Sequence, residues 1–135
     1  MKRIMFVILL AAAVTTGIAM AQNKKDCAPR NESAVVEFPQ TVMLNGVFLR
    51  GSYLVIHDEA RMAKGENCTY IYEYTDKEQG RLVTSFHCIP VERERVSQFT
   101  VLLAPPGQSP GGIGKVTAIQ FAGGTEAHQL PTDIR

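Results

Sequence analysis

The feature that most limits how this chain can fold is a succession of short β-prone runs, each cut off by glycine, proline or an Asn-Gly pair. The runs cover residues 34–38, 41–44, 47–49, 52–58, 68–74, 82–91, 96–104, 115–121 and 126–130. Between them lie Pro39, Asn45-Gly46, Arg50-Gly51, Gly65, Gly80, Pro105-Pro106-Gly107, Pro110-Gly111-Gly112 and Gly123-Gly124. Runs this short, at this spacing, predict an all-β domain: a small antiparallel β-sandwich of seven to nine short strands. One helical turn is expected, over 58–64, where helix formers cluster. The glycine- and proline-rich stretch 108–114 reads as a mobile loop between two strands.

The first residues have a different character. Met1-Lys2-Arg3 carries two positive charges, residues 4–14 are apolar, and Ala19-Met20-Ala21 has the small-x-small form of a cleavage site. These three parts in this order make a secretory signal peptide over 1–21. The strongly apolar stretch falls short of the ~20 residues that a spanning helix needs. The first cysteine, Cys27, does not directly follow the cleavage site, which argues against a lipoprotein anchor. A secreted or periplasmic location follows, with no transmembrane segment in the mature chain.

The polar stretch 22–33 then reads as a flexible lead-in, and 34–135 as the folded domain. Without residues 1–21 the chain keeps 12 basic and 13 acidic residues, a net charge of −1. No basic face survives, so nucleic acid is excluded as a partner. The expected partner is an unknown envelope or extracellular one.

The segments 68–74 and 82–88 form a hairpin in this reading. With the turn centred on Glu78, Tyr74 faces Leu82, Tyr72 faces Thr84, Tyr70 faces Phe86 and Cys68 faces Cys88. That register puts the three tyrosines on a core face with Leu82 and Phe86. It also brings the cysteines together, so a Cys68–Cys88 disulfide is expected in an oxidising compartment. Cys27 is left over.

Three histidines supply the remaining chemistry: His57 beside Asp58, His87 beside Cys88, and His128 close to Glu126. Together they offer a zinc or copper site of His57, His87 and His128, assisted by Asp58 or Glu126. No two of them lie at metal-ligand spacing within one element. Three separate histidines are therefore the plainer expectation, and no cofactor is required. A blue-copper centre is set aside, because Cys88 is followed by Ile89-Pro90-Val91-Glu92 without the nearby histidine and methionine of that family. No catalytic residue is assigned. Ser85 and His87 lack a Gly-x-Ser-x-Gly elbow.

The steps Leu44-Asn-Gly and Gly51-Ser-Tyr, with Ser85-Phe-His-Cys-Ile-Pro, Gln120-Phe-Ala-Gly and Glu126-Ala-His, resemble segments of uncharacterised small secreted bacterial β-sandwich proteins. The resemblance implies the fold class and carries no residue role. Three functions follow in order: a non-enzymatic binding or structural module, a metal-binding exported protein, and a hydrolase.

Overall fold

A computed structural model describes residues 28–132. The expected signal peptide, the first half of the lead-in and Cys27 lie outside the described residues. The chain forms eight strands: β1 (Asn31–Leu44), β2 (Val47–Asp58), β3 (Thr69–Thr75), β4 (Glu78–Phe86), β5 (Ile89–Glu92), β6 (Thr100–Leu103), β7 (Gly114–Gln120) and β8 (Glu126–Gln129). A four-residue helix, α1 (Glu59–Met62), follows β2 directly, and a single 3-10 turn occupies Pro110–Gly112. No helix among the described residues is long and apolar enough to cross a membrane.

The strand count meets the expectation, but the strands are not uniformly short. The first four runs fuse in pairs into β1 and β2, of 14 and 12 residues. Pro39 interrupts the ladder without ending the strand. The pairing Phe38↔Gly51 resumes at Val42↔Leu49, so four steps of β1 face two of β2. A bulge is where a residue lacking an N–H is tolerated inside a sheet. Opposite it, Gly51 takes a φ of 96°, a conformation that costs glycine little. Asn45 and Gly46 both have positive φ and close the β1–β2 hairpin with a tight two-residue turn.

β1 starts at Asn31, inside the stretch expected to be a flexible lead-in. Asn31, Glu32 and Ser33 pair with Asp58, His57 and Ile56. Just ahead of the strand, Arg30 makes an ion pair of 2.9 Å with Glu59. Exposure alternates along β1, with Glu32, Ala34, Val36 and Phe38 on the more buried phase. Ala34, Val36 and Phe38 belong to the core.

The sheet is mixed rather than wholly antiparallel. Its order is β4-β3-β2-β1-β7-β8-β5, with β6 on the other side of β7. The β1–β7 contact is parallel, through Val42↔Gly114 and Met43↔Lys115. In a flat sheet, β2 and β8 would stand three strand spacings apart, about 14 Å. Yet the rings of His57 in β2 and His128 in β8 have centroids 3.9 Å apart. The sheet therefore curls about the β1–β7 junction. Its two halves share one core, in which Leu44, Leu49, Val55 and Ile71 meet Val116, Ile119, Phe121 and Leu130.

The β3–β4 hairpin departs from the expected register. Its turn is Asp76-Lys77, both at positive φ, rather than a turn centred on Glu78. Tyr70 therefore faces Ser85, and Thr69 faces Phe86. A slip of one residue exchanges the two faces of a strand. Thr69 and Ile71 are fully buried, while Tyr70, Tyr72 and Tyr74 are half-buried on the opposite side. Two register shifts, on either side of Tyr72, separate the fates of Leu82, which is exposed, and Phe86, which is buried.

Candidate metal centre

Five segments converge where the curled halves meet. His57 is the penultimate residue of β2, and β2 is held between β1 and β3. Its backbone partners are Glu32 on one side and Thr69 on the other. His128 is the third residue of β8 and pairs with Ile119 and Pro90. Cys88 lies in the two-residue step between β4 and β5, and Met62 ends α1. Cys68 directly precedes β3. Its N–H bonds to the Phe86 carbonyl at 3.1 Å, and the Cys88 N–H reaches its sulfur at 3.3 Å.

Cys88 Sγ lies 3.5 Å from His57 Nε2 and 3.5 Å from His128 Nδ1. One donor atom from each of these residues falls within 4.8 Å of the other two. All three side chains are essentially inaccessible: His57 and Cys88 at 0% and His128 at 1%. An ion about 2.3 Å from a thiolate and about 2.05 Å from an imidazole, at a tetrahedral angle, separates sulfur and nitrogen by about 3.5 Å. Both observed sulfur–nitrogen distances have that length. Met62 Sδ adds a thioether 3.9 Å from Cys88 Sγ.

The far sides of both rings face one carboxylate. Glu32 Oε2 is 3.8 Å from His57 Nδ1 and 3.8 Å from His128 Nε2. These are the two ring nitrogens that do not point at Cys88. A carboxylate behind a ligating imidazole fixes its tautomer and orientation. His57 Nδ1 is buried without a hydrogen-bond partner among the described residues, as is Glu126 Oε1. Glu126 Oε1 stands 3.9 Å from His128 Nδ1, at the edge of the cluster. Phe121 walls the site, its ring 6.2 Å from His57 and 5.8 Å from His128.

Burial sets the protonation state. Removal from water pushes both imidazoles below their ordinary range. His128 falls to about 4, with the neighbouring His57 as a further cause. Burial raises the Cys88 thiol to about 12, and its contact with Cys68 adds to this. Desolvation also raises Glu32. At neutral pH the nest holds neutral imidazoles with free lone pairs and a thiol whose proton a cation would displace. No protein-family model matches this chain, and neither the curated proteins nor the solved structures include a match.

Two of the three histidines expected to offer a metal site converge, and one does not. His87 is exposed, with Nδ1 2.9 Å from the Glu66 carbonyl. It neighbours Cys88 in sequence, but in the step between β4 and β5 it is exposed while Cys88 is buried. Asp58 faces α1 instead, where its carboxylate accepts the N–H groups of Ala60 and Arg61. Ser85 Oγ accepts from Asn67, so Ser85, His87 and Asp58 are engaged separately and not with one another.

Cys68 and Cys88 do meet, as expected. Their sulfurs are 2.9 Å apart, and both are free thiols rather than a bonded pair. Cys88, Met62 and Glu32 had no place in the sequence-derived metal set. Glu32 was nevertheless traceable: carrying the alternation of Ala34, Val36 and Phe38 back two residues puts it on the inner face. Spacing along the chain sets aside only a blue-copper ligand set drawn from the residues that follow Cys88, and Cys88 itself is a free thiol. His57, His128, Cys88 and Met62 come from four separate segments, so that spacing does not bear on whether they meet.

Proposed function

We propose that this chain is a metal-binding protein holding one zinc or copper ion between His57 Nε2, Cys88 Sγ and His128 Nδ1. The observation that carries this reading is the pair of 3.5 Å sulfur–nitrogen distances among three wholly buried donors. A buried cluster of two histidines and a cysteine has ligands of the type both metals take. In this reading Glu32 orients both rings, and the protein's own contribution is a dry, preformed cage. The Met62 thioether adds the soft donor that suits copper. Export through a signal peptide over 1–21 places this binding module in the envelope or outside the cell.

The test uses reduced, metal-free protein whose Cys68 and Cys88 thiols have been verified. Titration with Zn²⁺ by calorimetry, and with Cu⁺ without oxygen, should show one ion per chain. The dissociation constant should be tighter than about 10 μM, or about −7 kcal/mol. Cys88→Ala and His128→Ala should abolish binding. Absence of saturable binding to the verified dithiol overturns the proposal.

A further inference from the structure

Cys88 has two competing partners. Its sulfur is 3.5 Å from each imidazole and 2.9 Å from Cys68 Sγ, within about 0.9 Å of disulfide bonding length. One thiolate cannot be both a metal ligand and half of a disulfide. We infer that Cys68 is a resolving thiol that gates the metal centre: oxidation joins it to Cys88 and ejects the ion, and reduction restores the site. The inference rests on the metal-binding reading.

The chemistry needs only a low-molecular-weight disulfide such as oxidised glutathione. The Cys68 thiolate attacks one sulfur of that disulfide and forms a mixed disulfide, releasing the first thiolate. The Cys88 thiolate then attacks Cys68 Sγ and displaces the second. Two protein thiols become one disulfide, one glutathione disulfide becomes two glutathione molecules, and the ion loses its only thiolate ligand. The two imidazoles remain, without the anionic donor. Cys68 and Cys88 are both fully buried, so in this inference the disulfide reaches Cys68 through a local opening of the strand ends beside the exposed Asn67 and His87. Neither Thr69 nor Met62, which also border these sulfurs, can form such a bond. Linkage makes the effect reciprocal: an ion already bound should protect the thiols from oxidation.

Zn²⁺ is the probe, because it has no redox chemistry of its own. Full-length processed protein is loaded with Zn²⁺ and treated with oxidised glutathione. Released metal is read with a chromogenic chelator, and the cysteines are mapped without reduction. Release should accompany a Cys68–Cys88 link, and a thiol reductant should reverse both. Cys68→Ser should still bind Zn²⁺ in the reduced state and keep it under the same oxidant. Should that variant misfold, wild-type protein supplies the second measurement: a Zn²⁺-loaded sample should oxidise more slowly than a metal-free one. Retention of Zn²⁺ by protein carrying the mapped Cys68–Cys88 bond overturns the gate while leaving metal binding intact. Failure of the reduced dithiol to bind Zn²⁺ at all overturns both.

Discussion

Lowering the pH of metal-free, reduced protein from 7.5 to 5.0 should weaken its fold by an amount that His128 largely sets. In the folded chain this ring, 1% exposed, is held near a pKa of about 4, against 6.5 for an ordinary histidine. The unfolded chain therefore takes up a proton below pH 6.5 that the folded chain refuses. Stability from the neutral ring is complete above pH 6.5 and is lost as pH falls from there towards 4. At pH 5.0 the loss from His128 alone is about 2 kcal/mol. His57, shifted the same way by burial, adds to it. Glu32 works in the opposite sense, because its pKa is raised and acidification relieves the cost of burying its charge. Glu32→Gln removes that opposition and should steepen the loss. The assay is urea unfolding followed by circular dichroism at several pH values. With a slope of roughly 2 kcal/mol per molar urea, the midpoint should fall by about 1 M. A midpoint that stays level or rises with acidification in the Glu32→Gln background would refute the reasoning.

Other substitutions test separate parts of the centre. Glu32→Gln should weaken Zn²⁺ binding about 10–100-fold, as loss of an orienting carboxylate does elsewhere, measured by competition with a chelator; an unchanged constant would remove Glu32 from the site. Met62→Leu keeps the volume and deletes the thioether, so Cu⁺ affinity should fall while Zn²⁺ affinity holds. Equal effects on the two metals would count against a Met62 ligand. His87→Ala should leave metal affinity unchanged and stability within about 0.5 kcal/mol in denaturant titration. Asp58→Ala deletes the N-cap of α1 and should cost about 1 kcal/mol by the same measurement.

Local patterning determined much of this protein. Alternation and turn residues were enough to read an all-β chain of seven to nine strands, a range that includes the eight formed among the described residues. They also marked the helical turn after Asp58 and the Asn45-Gly46 reversal, because these depend on residues adjacent in sequence. The closeness of Cys68 and Cys88 was legible too, since a hairpin brings the ends of its strands together whatever its exact turn. The face of that hairpin was not. The turn at Asp76-Lys77 and the two register shifts beside Tyr72 together leave a one-residue slip at Tyr70 that inverts it, and the turn chemistry, positive φ at aspartate and lysine, carries no glycine to mark it. Tertiary structure alone decided the parallel β1–β7 contact, because only two residue pairs make it and neither has a sequence signature. The candidate metal centre depends on that contact. Curling the sheet there brings β8 over β2, so His57 and His128, 71 residues apart in the chain, stack with Cys88 between their nitrogens. Sequence spacing records which donors exist; only the closure of the sheet selects the ones that share a point in space.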